Sequence, residues 1–382
     1  MSEIISPAVY RRELAGGTLT VTPTGGTLAL ALDALFDIAE RQNPKRAFLF
    51  VSKVLGRHIP VSPSVMRNAY RQLAQQIPAD LPQPVLFIGM AETAVGLGAG
   101  VFDEAKAAFS EAVYLTSTRH PVDGELLCEF KENHSHATDH LLYRPTDPVL
   151  RDRVLQARSV VLIDDEATTG NTFVNLLHAL RVDGNLDQLE RIVTVTLTDW
   201  SGDALATTCP LPVAAVSLVQ GDWHWEKNPL APIPLMPNVN ITASGSVKIM
   251  GKQSWGRLGM ASSAADLGAE LNASPDEKIL VLGSGEFVWE PLLLAERLEK
   301  SGAKVKFSCT TRSPIALGFA IESALAFKDN YGLGIPNFVY NIAHQQFDRI
   351  LLCVETEANS VDPLLIDALK RVAPAVEVIY YA

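Results

Sequence analysis

Apolar residues in this chain come as short runs of four to seven, each closed by acidic, hydroxyl or glycine residues. Most runs are followed by a stretch in which apolar positions recur at helical spacing. Short runs rich in Val and Ile are what strands buried on both faces require. Residues 85–88, 113–115, 160–163, 191–197 and 213–218 read as such strands. Phe173, Leu176, Leu177 and Leu180 stand at i, i+3, i+4 and i+7, one face of a helix that starts soon after the run 160–163. Helices are also predicted over 28–41, with Leu28, Leu32, Leu35 and Ile38 on one side, and over 63–76. Residues 1–17 read as a polar lead-in, 19–21 as a short strand ended by Pro23, and 47–51 as a strand. Trp223 to Glu226 and the Pro-rich stretch 229–237 read as irregular connector.

From about residue 263 a second pattern of the same kind begins. Residues 278–282 and 305–309 read as strands around a helix over 291–301, a right-handed βαβ unit. A helix over 315–328, a segment 330–341, a strand 349–354, a helix 363–372 and a last strand 376–380 follow. Alternating strands and helices predict an α/β fold, with a parallel sheet covered by helices on both faces. The boundary near 262 divides a first domain, 1–262, from a smaller α/β domain, 263–382.

The chemistry concentrates where the run 160–163 ends. Asp164 and Asp165 follow it, then Glu166, Ala167, and the turn Thr168-Thr169-Gly170-Asn171-Thr172. A turn that opens a helix presents unpaired N–H groups and the positive dipole end to one point, which suits a phosphate. Gly170 lets the backbone approach closely and the threonines add hydroxyl donors. The two aspartates offer oxygen acceptors for sugar hydroxyls or a hydrated magnesium ion. A second turn, Gly89-Met90-Ala91-Glu92-Thr93, follows another core run and again faces N–H groups outward. The glycines of Gly96-Leu97-Gly98-Ala99-Gly100 fall inside the next helix, where close packing on the sheet explains them better than a dinucleotide fingerprint.

Other segments leave alternatives open. Ser52 to Pro60 carries Lys53, Arg57 and His58, and reads either as a surface loop or as a contact for an anionic ligand. Ser117 to about Arg144 is too long and polar for an ordinary connection. It contains Arg119, Lys131, His134, His136 and His140, which read as a solvated hairpin or as proton-transfer, phosphate or metal contacts. Trp200, just past the strand 191–197, either stacks on a planar base or plugs the sheet edge. In the second half, Gly283-Ser284-Gly285 lacks the third glycine region of a dinucleotide site. Thr311-Arg312-Ser313-Pro314 is a rigid turn in which Arg312 and Ser313 form either an anion site or a capped turn with a surface arginine.

Charge and composition narrow the classes. A net charge of −11 argues against a surface that coats nucleic acid. Cys128, Cys209, Cys309 and Cys353 form no C-x-x-C pair, so neither a zinc knuckle nor a disulfide framework is indicated. The sequence shows no apolar run of membrane-spanning length and no leader pattern, which predicts a cytoplasmic protein.

The run from Val160 to Thr172 resembles the phosphoribosyl-diphosphate (PRPP) signature of type I phosphoribosyltransferases, with Glu166 and Ala167 in slots that are usually aliphatic. Thr311-Arg312-Ser313-Pro314 resembles the tetrapeptide of the TRSP domain, a module fused to phosphoribosyltransferase-like domains in tellurite-resistance-associated gene clusters. Asn43-Pro44-Lys45-Arg46, Phe48 to Lys53 and His134 to Ala137 match the same fused pattern. The resemblance implies a type I phosphoribosyltransferase-like sheet and a Mg²⁺-dependent transfer of 5-phosphoribosyl from PRPP to a nitrogen of a base-like acceptor. It implies that Thr168, Thr169, Gly170, Asn171 and Thr172 hold the 5-phosphate, Asp164 and Asp165 the ribose hydroxyls and Mg²⁺, and Ala91, Glu92 and Thr93 the pyrophosphate. Arg119 and Lys131 would close on the diphosphate from the long loop. The product would be a nucleoside-like metabolite. A PRPP- or nucleotide-binding sensor with the second domain as output is the alternative, a second reaction at Arg312 is a third, and a homo-oligomer is compatible with each.

Overall fold

The computed structural model describes residues 9–26, 31–43, 46–130, 140–202, 204–237, 249, 256–263 and 266–381. The chain forms two compact units. The first comprises Met1–Leu32, Ala69–Pro229 and Ser254–Ser263; the second comprises Asp33–Asn68, Leu230–Gln253 and Ala264–Ala382. No helix among the described residues is long and apolar enough to cross a membrane.

The first unit is built on an eight-stranded sheet. Ala112–Thr116, Val85–Gly89, Ser159–Ile163, Arg191–Asp199 and Val213–Lys227 lie side by side in that order and run parallel. Gly17–Gly25 and then Tyr10–Leu14 extend the sheet antiparallel. The two-residue strand Glu166–Ala167 pairs with the end of Arg191–Asp199. The three strands Val85–Gly89, Ala112–Thr116 and Ser159–Ile163 are buried at every position. That is why they read as continuous apolar runs rather than alternating ones.

The period of two sorts their side chains onto two faces. Leu86, Ile88, Val160, Leu162 and Ile192 pack with Phe173, Leu176, Leu177 and Leu180 of the helix Asn171–Val182. On the other face Phe87 meets Phe102 of the helix Val95–Ala105 edge to face at 5.4 Å, and Phe102 stacks on Tyr114 at 5.5 Å. Helices therefore cover both faces. The chain moves from Val85–Gly89 to Ala112–Thr116 on one side, then crosses back to Ser159–Ile163 on the other. The topological switch point lies between Val85–Gly89 and Ser159–Ile163, where open α/β sheets bind ligands.

The edges differ from the sequence reading. The lead-in contains the strand Tyr10–Leu14, and Pro23 sits inside the strand Gly17–Gly25. Trp223 to Glu226 is not a connector: Val213–Lys227 is one 15-residue strand whose second half pairs with Gly17–Gly25, beyond a register shift at Gln220/Gly221.

In the second unit Lys304–Cys309, Lys278–Gly283, Arg349–Cys353 and Ala375–Ile379 form a four-stranded, wholly parallel sheet. The helices Trp289–Lys300 and Pro363–Leu369 belong to it. Two hairpins accompany the sheet: Phe36–Glu40 with Phe48–Ser52, and Ala324–Lys328 with Pro336–Tyr340. They correct two predicted helices. Residues 28–41 yield only the short helix Leu32–Leu35 before the strand Phe36–Glu40, with 27–30 outside the described residues. Residues 315–328 start as an irregular turn, with Gly318 and Phe319 at φ of 113° and 54°, and end as a strand. In both places tertiary pairing overrides the helical spacing. Ala39 and Val51 pack on Ile315, Ile321, Phe338 and Tyr340 in a shared core.

The basic loop 52–60 is not a surface loop. Arg57 is buried, and its Nη1 donates to the carbonyls of Gly285 (2.8 Å) and Thr310 (3.1 Å) and to Sγ of Cys309 (3.0 Å). His58 is buried beside it; burial and the Arg57 charge hold its imidazole down at about 3. Val61 and Phe307 exchange two main-chain hydrogen bonds. Arg67 pairs with Glu296 through two bonds of 2.6 and 2.8 Å, and its guanidinium covers the Trp289 ring at 5.2 Å.

Candidate active site

At the carboxyl edge of the first sheet, Gly89 pairs with both Thr116 and Ile163, so three strands end at one level. The two turns singled out in the sequence follow these strands, and the first is tied to the end of the strand that leads to the second. The N–H of Met90 donates to the Ile163 carbonyl at 3.0 Å. Strand pairing thus continues one residue beyond Gly89 and fixes the turn 90–94 against the start of 164–170.

The acidic pair is held from its other side. The Asp164 N–H donates to the Val195 carbonyl at 3.0 Å, and the Asp165 carbonyl accepts from Leu197 (3.1 Å) and Thr198 (3.3 Å). Asp164 Oδ1 accepts its neighbour's N–H at 2.9 Å, which orients that carboxylate. Both side chains are partly exposed. Glu166 and Ala167 resume pairing with Thr198 and Asp199 at unchanged offset, and Ala167 joins the core. Their departure from the aliphatic pattern is therefore absorbed without a break in packing.

Gly170 has φ 72°, a left-handed conformation that glycine adopts without strain, and it starts the helix Asn171–Val182. Its N-cap residue, Gly170, supplies no side-chain cap, nor does Ala94 before the helix Val95–Ala105 that follows the other turn; Thr169 Oγ1 accepts the Asn171 N–H at 3.4 Å. By contrast Asp147 caps the helix Pro148–Leu155, accepting from Leu150. The two helices that begin at the carboxyl edge thus start from Gly and Ala N-caps, which leave amino-end N–H groups for an anion. Thr168 and Thr172 are partly exposed, and Thr169 and Asn171 exposed, around this turn.

The glycine set in the helix Val95–Ala105 is a packing device. A Cβ on Gly98 would lie 2.7 Å from the Gly89 Cα and 2.8 Å from the Tyr114 hydroxyl; one on Gly100 would lie 2.1 Å from the Tyr70 ring. The Tyr114 hydroxyl donates to the Val95 carbonyl at 3.2 Å. Helix and strand are drawn together next to the turn 90–94.

Residues that the sequence did not single out support the turn. Ser117 Oγ accepts the Ala91 N–H at 2.9 Å and lies 3.0 Å from Nδ1 of His140. His140 is fully buried and stacks on Phe130 at 4.5 Å. The long polar segment is in part the hairpin Leu126–Phe130 with His140–Tyr143, bridged to Thr118 through Leu141. His140 is thus a supporting residue. Lys131, His134 and His136 lie outside the described residues. The Ala91–Ser117 link spans 26 residues, and no local pattern announces it.

The remaining candidates fall as follows. Ala91 is buried, while Glu92 and Thr93 are half-buried. Arg119 is buried, three residues beyond the strand Ala112–Thr116. Trp200 is 7% exposed, so little of its ring is open, and its main-chain N–H donates to the Ala167 carbonyl at 2.7 Å. Arg312 and Ser313, both half-buried, lie in the second unit. No group of three or more His, Cys, Asp or Glu side chains converges among the described residues.

Comparison with known proteins gives two family matches: a phosphoribosyl transferase family over residues 35–222, and the TRSP domain found C-terminal to it over residues 251–369. No curated protein matches the chain. Among solved structures, adenine phosphoribosyltransferase from Rhodothermus marinus is 17% identical, over 51% of this chain and 98% of its own, with a TM-score of 0.33. The Giardia lamblia enzyme bound to 9-deazaadenine is 17% identical over 52% and 98%, with a TM-score of 0.34. The Trypanosoma brucei enzyme in complex with AMP, pyrophosphate and ribose-5-phosphate is 14% identical over 52% and 82%, with a TM-score of 0.35. The chain belongs to the phosphoribosyl transferase family that carries a C-terminal TRSP domain, and is a pentosyltransferase.

Proposed function

We propose that the first unit transfers 5-phosphoribosyl from PRPP to a ring nitrogen of a base-like acceptor, releasing pyrophosphate, in the synthesis of a nucleoside-like metabolite. One observation carries this reading. At the switch point of a parallel sheet, the turn 90–94 is hydrogen-bonded to the end of the strand that leads through Asp164 and Asp165 to the turn 168–172, and the N-cap residue of the helix after each turn supplies no side-chain cap. A donor with one phosphate at C5 and a diphosphate at C1 needs two anion sites separated by a sugar site.

In this reading Thr168 to Thr172 bind the 5-phosphate, while Ala91, Glu92 and Thr93 frame the diphosphate. Asp164 and Asp165 accept the ribose hydroxyls. As the C1–O bond to pyrophosphate breaks, positive charge builds on the ring, as in glycosyl transfer generally. The two carboxylates face that charge and stabilise it. The electron pair of the broken bond leaves with pyrophosphate, and the acceptor nitrogen supplies the pair for the new bond. Arg119 contributes positive charge beside the diphosphate turn, and Lys131 is assigned the same task from the long loop. The donor set Asp164/Asp165 fits Mg²⁺, which takes one or two carboxylates and fills its shell with water and substrate phosphate; when bound it would neutralise leaving-group charge.

The test is pyrophosphate release from PRPP across a panel of purine, pyrimidine and other nitrogen heterocycles. Asp164→Asn combined with Asp165→Asn is expected to lower kcat by roughly 10²–10³-fold, the scale of losing charge-stabilising groups, with the fold intact by circular dichroism. Full activity in that variant would remove the assigned roles. PRPP binding without turnover on any acceptor would instead make the unit a sensor.

A further inference from the structure

Within the second unit lies a cleft of about 890 Å³. Three stretches far apart in sequence line it: Arg41 to Asn43, Ile233 to Pro237, and Arg312 to Pro314, with Phe338 among them. Among the described lining residues two are arginines and none is Asp or Glu, in a chain of net charge −11. Such a lining concentrates positive potential where the rest of the chain is acidic.

The tetrapeptide on this wall is rigidly held. Thr311 and Phe338 exchange main-chain bonds of 2.9 and 2.8 Å. Thr311 Oγ1 accepts the Ser313 N–H at 3.2 Å. The Tyr340 hydroxyl donates to the Ser313 carbonyl at 2.8 Å and accepts from the Ile315 N–H at 2.9 Å. Thr311 therefore fastens the turn and Pro314 limits its backbone, while Arg312 and Ser313 line the cleft. The turn follows the strand Lys304–Cys309, at the carboxyl edge of the second parallel sheet, the side on which such sheets bind ligands. The opposite wall is apolar. Ile233 and Leu235 are 78% and 90% exposed, yet both line the cleft. The Gln42 amide donates to the Pro234 carbonyl at 2.9 Å and fixes that strap.

The geometry points to a second ligand site in this cleft, for a phosphorylated molecule the size of a nucleoside monophosphate. Guanidinium groups with a hydroxyl suit phosphate oxygens. The volume lies in the range of small-organic-ligand pockets, roughly 300–1,000 Å³, and is far larger than a bare phosphate needs. The strap supplies an apolar surface for the body of the ligand. This site lies wholly in the second unit and does not depend on the transferase reading.

The full chain is tested by calorimetric titration with the four common nucleoside 5′-monophosphates, and with inorganic phosphate as the small-anion control. Titrations are run in a Gly170→Val background so that the turn 168–172 does not contribute. One monophosphate is expected to bind at one per chain. Arg312→Ala should weaken it at least tenfold, and so should Leu235→Asp, a change at an exposed position that leaves the fold untouched. In the wild-type background Arg312→Ala should leave pyrophosphate release from PRPP unchanged. Binding unaffected by either substitution would overturn the proposal, as would no binding of any monophosphate, or inorganic phosphate binding as tightly as the nucleotides.

Discussion

Gly98→Ala tests whether packing beneath the diphosphate turn sets catalysis. The added methyl would stand 2.7 Å from the Gly89 Cα and 2.8 Å from the Tyr114 hydroxyl. Carbon atoms prefer separations of about 3.5–4.0 Å, so the helix Val95–Ala105 must retreat from the strand by roughly 1 Å. The retreat reaches the turn 90–94 directly, because Gly98 donates to the Ala94 carbonyl and Ala94 to that of Met90. Overpacking costs about 1–3 kcal/mol, while replacing a helical glycine returns about 1 kcal/mol. The net loss of stability is then modest, about 0–2 kcal/mol. A misplacement of about 1 Å in a positioning element costs on the order of 10²-fold in rate. Urea midpoints and steady-state pyrophosphate release are therefore expected to separate, with a small shift in the first and a drop of roughly 10–100-fold in kcat/KM in the second. Wild-type kinetics at either stability would refute the idea that this contact positions the turn.

Gly170→Val should weaken PRPP binding at least tenfold: nothing in the first unit lies closer than 3.5 Å to a Cβ there, but φ of 72° strains any β-branched residue, by roughly 1–2 kcal/mol. Unchanged affinity by titration would remove the phosphate turn from the site. Glu290 gives a pH signature in the second unit. Burial and the nearby charges of Asp266 and Glu355 push its carboxyl up to about 10, and the Tyr381 hydroxyl donates to it. Between its ordinary value and about 10 the folded state keeps a proton that the unfolded state releases, so stability falls as pH rises through that window. From pH 5 to 8 the fall is at most about 4 kcal/mol, and Glu290→Gln should flatten it in melts taken across that range. An unaltered slope would show that Glu290 is ionised when folded.

The parallel core was legible because strands buried on both faces leave continuous apolar runs, and 85–88, 113–115 and 160–163 were found within a residue or two. The turn 168–172 was legible because glycine and hydroxyl residues cluster between a strand and a helix. What stayed hidden depends on distant partners. Phe36 to Glu40 has helical spacing, yet pairing with Phe48–Ser52 makes it a strand. Trp223 to Glu226 looked irregular because its partner strand lies some 200 residues earlier. Arg57 read as part of a surface loop or an anion contact because sequence does not reveal that Gly285 and Thr310, far along the chain, aim carbonyls at it. Ser117 was passed over for the same reason: its side chain meets a turn 26 residues earlier and a histidine 23 residues later.

These long-range partnerships bear on how the chain can be cut. A break near residue 262, where the sequence pattern changes, removes most of the second unit but leaves residues 33–68 behind. Those residues carry Phe36, Ile38, Phe48 and Val51, all under 3% exposed, and Ala39 and Val51 would lose their core partners Ile315, Ile321, Phe338 and Tyr340. Arg57 would lose three acceptors at once and Arg67 its paired carboxylate. A hairpin alone is marginal in water, so the exposed strands become templates for association. A fragment ending at residue 263 is therefore expected to aggregate, while one that also lacks 33–68, with residues 32 and 69 joined by a flexible linker, should have a smaller exposed apolar surface and stay in solution. Sedimentation velocity on the two fragments decides the matter. A monodisperse first fragment with a sharp melt would show that residues 33–68 do not need the second unit.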